Sequence, residues 1–447
     1  MKIVIAGAGE VGTHLALKLS REDMQDITLI DPDAKLLERF AHAELLTIAG
    51  DPLDAQTLKS LSIAETDLFI SVMPDELANI FSCTLASSLG AKETIARINN
   101  HRYFSSEYAR FLETLGVKSI IYPEELAAEE INTTINNPWA RLYIELFNGN
   151  IVLVGVKVRN GAPILGKKLV DLPQKKDKRF HIVAIKRGDE TLIPTGQTTI
   201  EHGDIVFFTA LGNDVEEIRQ LAGKENVEVK HVVIMGASSI AMRTVEKSSP
   251  HIKFTIVERE KKRIAEISDR LPSNVKLFHG DGRDPSLLLE AGLDNAQVFI
   301  ALTENSETNV LACLAAKRYN VFKTIAKEEN IDYIPLAERL DIGTIINKKL
   351  IAAGHIYRAL LGKDTSTLKC LTIANADVAE IVARSGSPII GKAVKDLNLP
   401  KGITLGGMVR NGVPQMIDGN TVIEAYDLVV VFCNNIAMSR IKALFEE

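Results

Sequence analysis

No stretch of this chain approaches the ~18–20 uninterrupted apolar residues that a membrane-spanning helix needs. The longest contender, residues 350–362, is broken by His355 and Arg358. There is no excess of positive charge either. The formal net charge is −6, which argues against a nucleic-acid partner, because such proteins carry a basic face or stripe. The basic run QKKDKR at 174–179 is short and interrupted, and reads as a solvated loop. Cysteine is scarce: Cys83, Cys313, Cys370 and Cys433 lie far apart, with no CxxC or Cys/His ligand spacing. A strand pattern begins at residue 2, which leaves no room for a signal peptide. A reducing cytoplasm fits all of this. At 447 residues the chain exceeds one ordinary core, and two to four domains are expected.

What the chain has in abundance is itself. The stretch 49–72 (AGDPLDAQTLKSLSIAETDLFISV) matches 279–302 (HGDGRDPSLLLEAGLDNAQVFIAL), and 76–100 matches 307–330. Further on, GAPILGKKLVDL (161–172) matches GSPIIGKAVKDL (386–397). The sequence is a duplication, and each half contains two unlike pieces.

In the first piece, apolar runs at 2–6, 27–30, 45–48, 67–70, 94–98 and 117–121 alternate with helical patterns at about 10–20, 33–42, 54–60, 75–89 and 104–115. Short continuous apolar strands between helices predict βαβ units, a buried parallel sheet and an α/β, doubly wound, Rossmann-like domain. The second piece alternates instead: strands at NIVLVGVKV, HIVAIKR and DIVFFTA, with short helices at GKKLVDL and after Asn213, predict a small α+β unit. A helical segment within 123–143 ties the pieces together. The expected order is a first Rossmann domain at 1–122, a linking helix at 123–139, a small domain at 140–225, a second Rossmann domain at 228–348, a linking helix at 349–364 and a second small domain at 365–447.

The chemistry lies in GAGEVG. Gly7, Gly9 and Gly12 stand at dinucleotide-binding spacing between a strand and a helix. Gly7 would allow the tight turn, Gly9 the approach of a pyrophosphate, and Gly12 close helix packing. The N–H groups of Ala8, Glu10 and Val11 would then face phosphate oxygens. Asp31 ends the second strand, where a carboxylate accepts ribose hydroxyls and repels a 2′-phosphate, favouring NAD over NADP. Gly50 and Asp51 after strand three, Val72 and Met73 after strand four, and Arg97 at strand five should open on the same crevice. Asp51 could serve instead as a helix cap, and Arg97 as a structural ion-pair partner.

The second copy reads GASSIA. Gly236 stays, but Ser238 and Ala241 replace two glycines, so a Cβ at 238 should crowd a phosphate and one at 241 should push helix from strand. Glu258 stands for Asp31, and Gly280, Asp281 and Lys327 echo Gly50, Asp51 and Arg97. This pocket is expected to be weak or empty for dinucleotides, with a mononucleotide as the alternative.

Through KIVIAGAGEVG, LIDPD, LTIAGD, DLFISVMPDELANI, TIARINN and the doubled GAPILGKKLVDL motif, the whole chain resembles the bacterial TrkA family of potassium-uptake regulators, which carry two tandem RCK modules. The resemblance implies a cytoplasmic gating subunit, peripheral to the inner membrane, that partners an integral-membrane potassium transporter of the TrkH or TrkG type. It implies NAD(H) binding, with ATP or ADP at the same site, and a homotetrameric ring. The same site residues, Gly7 to Val11, Asp31, Gly50, Asp51, Val72, Met73 and Arg97, fall on the family's nucleotide positions.

The competing class is an NAD-dependent oxidoreductase. It would need a second domain supplying a proton donor and substrate clamps. Only about 80 residues follow each Rossmann piece before the pattern repeats, and the nine histidines, His14 and His101 among them, form no acid–base arrangement. Cys83 and Cys313 repeat on one helix and read as packing. The acids of PEELAAEE could hold a cation, but acids in a first helical turn already stabilise it. No enzyme activity is expected; a free-standing nucleotide sensor is a third reading.

Overall fold

The computed structural model describes residues 1–20, 26–40, 45–172, 180–360, 365–371, 376–434 and 438–446. The basic run 174–179, the tail of the helical pattern at 41–42, the end of the second linking segment at 361–364 and the Cys370 side chain lie outside the described part.

The first domain is a parallel sheet of β1 (Lys2–Ala6), β2 (Asp26–Asp31), β3 (Leu46–Ala49), β4 (Leu68–Ser71), β5 (Glu93–Arg97) and β6 (Ser119–Ile121), in the order β3-β2-β1-β4-β5-β6. Helices α1 (Glu10–Leu19), α2 (Ala34–Leu37), α3 (Ala55–Ser60), α4 (Glu76–Ser88) and α5 (Ser106–Thr114) make the crossovers. Val4, Ala6, Ile30, Phe69 and Ala96 are fully buried between the layers, which is why these strands read as unbroken apolar runs. The order reverses between β1 and β4, and the crevice beyond their carboxyl ends is where such sheets bind ligands.

Helix α6 (Pro123–Asn136) follows, and ends where Asn137 precedes Pro138, a residue pair that disfavours continuing the helix. The expected helical segment therefore stops short of residue 143, and Leu142 and Tyr143 instead open a strand. The small domain holds β7 (Leu142–Leu146), β8 (Ile151–Lys157), β9 (Phe180–Arg187), β10 (Glu190–Leu192) and β11 (Ile205–Leu211), antiparallel in the order β10-β9-β11-β8-β7, with α7 (Val215–Leu221) after it. The sequence reading found β8, β9 and β11 and missed β7 and β10, which are short and only partly buried.

The second half repeats both pieces. Strands β12 (His231–Met235), β13 (Lys253–Glu258), β14 (Val275–His279), β15 (Val298–Ala301), β16 (Lys323–Lys327) and β17 (Thr344–Ile346) form a sheet in the order β14-β13-β12-β15-β16-β17, and α8 (Ser239–Lys247) follows the loop after β12. Strands β18 (Thr365–Leu371), β19 (Ala376–Val382), β20 (Ile403–Arg410), β21 (Val413–Gln415) and β22 (Leu428–Asn434) form the last sheet, in the order β18-β19-β22-β20-β21.

By contacts the chain divides into two compact units. One is Met1–Leu126 with Lys348–Asp364 and Ile436–Leu444; the other is Ala127–Asn347 with Thr365–Asn435 and Phe445–Glu447. In the first unit, the helix Lys348–Leu360 lies on α1: Lys349 pairs with Glu10, and the Lys18 ammonium sits 4.8 Å from the Tyr357 ring centre. In the second unit, the body of α6 lies on α8. Asn132 donates to the Thr244 carbonyl at 3.1 Å and Lys247 pairs with Glu129 at 2.7 Å. Each linking helix thus rests on the glycine-loop helix of the opposite half. The two small-domain sheets, both in the second unit, share one core in which Leu146, Ile151 and Phe207 meet Val378, Val430 and Phe432. The Phe207 and Phe432 rings meet at a tilt of 40°, with centres 6.2 Å apart.

Candidate functional site

The glycine loop closes as its spacing requires. Gly7 has φ +105°, a left-handed conformation that side chains resist, and donates its N–H to Ile30 at 2.9 Å. A Cβ on Gly12 would lie 1.9 Å from the Gly7 carbonyl oxygen, so this glycine is what lets α1 start against the turn. Gly9 differs from both: its backbone is extended (φ −66°, ψ −179°), and a Cβ there would meet nothing within 4 Å. The fold itself does not need a glycine at 9. Among the described residues no side chain caps α1, so the first-turn N–H groups of Glu10 and Val11 stay open, with the positive end of the helix dipole behind them.

Asp31 is nearly buried, and its carboxylate braces the loop. Oδ2 accepts from the Ala8 N–H at 2.7 Å and Oδ1 from the Asp33 N–H at 2.8 Å. The Ala8 N–H is therefore spent on Asp31, where the sequence had pointed it at a phosphate. A carboxylate offers about four acceptor positions, so the two remaining still suit a diol. Gly50 hangs from the Asp31 carbonyl through its own N–H at 3.1 Å. Asp51 is exposed and accepts from the Leu53 N–H at 2.9 Å. The cap of α3 is Asp54, which accepts from Gln56 and Thr57, so the rival role for Asp51 falls to a neighbour.

Val72 is buried and continues the ladder by donating to Ala6 at 2.9 Å. Met73 and Arg97 are half-buried beside each other's strand ends. What aligns them is a residue the sequence reading passed over. Asn79, fully buried on α4, accepts at Oδ1 from the Met73 N–H and the Ser71 hydroxyl, both at 2.8 Å. Its Nδ2 donates to the Met73 and Arg97 carbonyls, both at 2.9 Å. One amide side chain pins the ends of β4 and β5. The repeat carried the signal, since Asn309 stands at the equivalent place and bonds Thr303 and Lys327 in the same way. Among the described residues, nothing hydrogen-bonds or ion-pairs with the Arg97 guanidinium, and its Nε is buried without a partner. The structural ion pair that was its alternative is absent there.

The second loop keeps the frame and satisfies itself. Gly236 repeats the positive φ at +99°, and Glu258 accepts from the Ala237 and Glu260 N–H groups, both at 2.8 Å. Ser238, however, caps α8 through its hydroxyl, which accepts from the Ala241 N–H at 3.3 Å. Ala241 is fully buried, and α8 still begins after the turn. Lys327 is paired with Glu329 at 3.5 Å, where the first copy has Asn99. Asp281 is clasped by Arg283, whose hydrogen bonds and charge pull the carboxyl down to about 2. The groups that stay open in the first copy are occupied internally in the second.

The remaining candidates read as structure. Cys83 and Cys313 are buried, donate to the Ile95 and Ile325 carbonyls at 3.4 Å, and have thiols pushed up by burial. His101 stacks on Phe104 at 5.9 Å. Glu124 of PEELAAEE bonds Lys348 at 3.1 Å.

Comparison with known proteins adds the family context. The TrkA-N domain matches residues 3–123 and 232–348, and the TrkA-C domain matches 153–223 and 378–446. The Trk system potassium uptake protein TrkA of Halomonas elongata is 30% identical over 438 residues, covering 97% of this chain and 95% of its own length. A TrkA homolog of Archaeoglobus fulgidus is 29% identical over 450 residues, with 100% of both chains covered. Among solved structures, the GsuK RCK domain aligns with a TM-score of 0.59 at 15% identity, over 99% of this chain and 94% of that one. A GsuK channel bound to NAD aligns with a TM-score of 0.59 at 14% identity, over 99% of this chain and 78% of that one. At those identities the likeness is one of fold.

Proposed function

This chain belongs to the TrkA family, and from that premise we propose that it is the nucleotide-sensing subunit of an integral-membrane potassium transporter of the TrkH or TrkG type, held at the cytoplasmic face of the inner membrane. The expectation of a non-enzyme agrees with relatives named for potassium uptake. No helix among the described residues is long and apolar enough to cross a membrane, so the ion path would belong to the partner.

One observation carries the nucleotide assignment: the uncapped start of α1, the open side of Gly9 and the unpaired Arg97 stand together at the carboxyl edge of one sheet. NAD(H) and ATP or ADP share adenosine, ribose and phosphates, so the loop from Gly7 to Gly12 and Asp31 would take either. They differ beyond the second phosphate, where Met73 and Arg97 lie. Glu10, at the mouth of the loop, is paired with Lys349 of the second linking helix, so a phosphate arriving there perturbs a contact that belongs to the other half of the chain. In our reading, the second copy, self-satisfied at Ser238, Lys327 and Asp281, leaves Glu258 as a brace with no ligand. A ligand shifts such an assembly only through its different affinity for two states.

The test is a competition titration of NADH and ATP into the full chain, joined to pull-down from native membranes with and without NADH. Mutually exclusive binding and retention of a potassium transporter are expected. Steady NADH oxidation that vanishes in a Gly9→Asp variant would favour the oxidoreductase, and binding with no membrane partner the free-standing sensor.

A ring needs sticky faces, and each Rossmann domain carries one. Leu77, Phe81, Tyr108 and Phe111 are exposed on α4 and α5; in the second copy Leu311, Tyr333 and Leu336 are exposed at the places equivalent to Phe81, Tyr108 and Phe111. Apolar groups in such number are unusual on a surface that stays wet. Phe111→Glu is expected to lower the solution mass from a tetramer to a smaller species by light scattering. An unchanged mass would remove this face from the ring.

A further inference from the structure

A second concentration of charge lies within the unit that contains the first small domain and the second Rossmann domain. Asp341, in the turn before β17, is ringed by cations from both. Arg159 reaches it at 2.5 Å, Lys157 at 3.0 Å, Lys317 at 3.5 Å and Arg141 at 3.7 Å. Lys224 and Lys323 also feel its charge. The adjacent Glu338 is engaged with Lys186 at 2.8 Å. Six basic side chains therefore gather about Asp341, with Glu338 as the second acid whose charge reaches Arg141.

The imbalance is visible in the protein's own chemistry. Burial pushes the Asp341 carboxyl up, but the Lys157 hydrogen bond and the charges of Lys317 and Arg159 outweigh it and hold the group far below the usual range. The cations show the opposite strain. Burial, then the Arg141 and Lys317 charges, push Lys323 well below its ordinary value, and among the described residues its side-chain nitrogen hydrogen-bonds only the Ala140 carbonyl, at 2.6 Å. Burial and Arg159 bring Lys224 down to about 8, and its ammonium has no hydrogen-bond partner among the described residues. Arg141, with its side chain 8% exposed, keeps a buried Nε without an acceptor. Buried charge without compensation is costly, and the described acids acting on Arg141 are Asp341 and Glu338, the latter already paired with Lys186. The cluster opens to water at Arg159, whose side chain is 56% exposed.

We propose that the Asp341 cluster is a binding site for a small phosphate-bearing anion, with Arg159, Lys224 and Arg141 as its donors. The chemistry fits a phosphate group in particular. Guanidinium forks and a point ammonium match its oxygens, and its negative charge would compensate what Asp341 and Glu338 leave over. The donors come from both the small domain and the segment that follows it, and face the second Rossmann domain's Asp341 turn, so an occupant would fasten that seam. The phosphate could be inorganic or the terminal group of a nucleotide. This site shares no residue with the first Rossmann loop, and the proposal does not depend on what binds there.

The test uses the full chain carrying Gly9→Asp, so that nucleotides cannot act through the first loop. Thermal unfolding and calorimetry are followed with sodium phosphate, with pyrophosphate and with ATP, each against sodium chloride at matched ionic strength. A saturable rise in unfolding temperature beyond that of chloride is expected. Arg159→Gln and Lys224→Gln should each weaken the apparent affinity by roughly tenfold or more, as for lost hydrogen bonds to a charged group. Asp341→Asn gives the decisive sign. Removing the competing carboxylate should tighten phosphate binding, and phosphate should restore thermal stability that the variant loses. A response to ATP but not to inorganic phosphate, still sensitive to Lys224→Gln, identifies a nucleotide as the source. No effect beyond chloride, or an equal effect in the Arg159 and Lys224 variants, would overturn the proposal.

Discussion

Gly9→Asp is expected to weaken dinucleotide binding by at least about a hundredfold, on the order of 2.7 kcal/mol, while leaving the fold intact or slightly more stable. The two signs have separate causes. The backbone at Gly9 is extended, a conformation any residue adopts, and its Cβ would enter open space. An aspartate there would accept from the uncapped N–H groups of α1, a cap worth about 0.5–2 kcal/mol. That same carboxylate would take the place, and carry the charge, of the phosphate it displaces. The second copy already shows the arrangement in milder form, with the Ser238 hydroxyl accepting from Ala241. Gly12→Ala is the contrasting control. Its Cβ would collide with the Gly7 carbonyl oxygen at 1.9 Å, so stability and binding should fall together. Calorimetry beside thermal unfolding separates the cases. Unchanged NADH affinity in Gly9→Asp would place the ligand elsewhere.

Asn79→Ala is expected to cost about 3 kcal/mol or more of stability in the first Rossmann domain, and to weaken nucleotide binding as well. Truncation strands the Met73 N–H, the Met73 carbonyl and the Arg97 carbonyl around a fully buried side chain. Each unsatisfied buried group costs about 1–3 kcal/mol. Binding should fall because Met73 and Arg97 lose the clamp that sets their loops. Asn309→Ala supplies the comparison: the same network breaks in the second copy, and stability should drop without a change in affinity at the first loop. Urea unfolding with calorimetry measures both. If Asn79→Ala kept full affinity despite a destabilised domain, Met73 and Arg97 would have no part in the site.

These contrasts turn on how two copies of one design diverged. The sequence showed the loss of glycines at Ser238 and Ala241, and steric crowding was its natural interpretation. The structure gives Ser238 a more active role, because its hydroxyl fills the helix start. Glu329 has a similar effect on Lys327. In the linear sequence it is one more acid in KEEN, and only the fold brings its carboxylate 3.5 Å from that ammonium.

By itself the sequence determined whatever depends on near neighbours and on period. The duplication, the six apolar strand runs of the Rossmann pattern and the turn at Gly7 were legible, because buried strands, tight turns and helix starts impose local residue types. Asp31 and Glu258 were legible as the acids ending their second strands. Tertiary structure alone decided which distant groups those residues met. It spent the Ala8 N–H on Asp31, gave the cap of α3 to Asp54 and set Asn79 between two strand ends. It laid each linking helix on the glycine-loop helix of the opposite half and gathered cations from two domains around Asp341. No local pattern encodes such choices. A hydrogen bond or ion pair between residues far apart in the chain forms only when packing brings them within about 3 Å, and in sequence the same amide, lysine or aspartate looks like any solvated one.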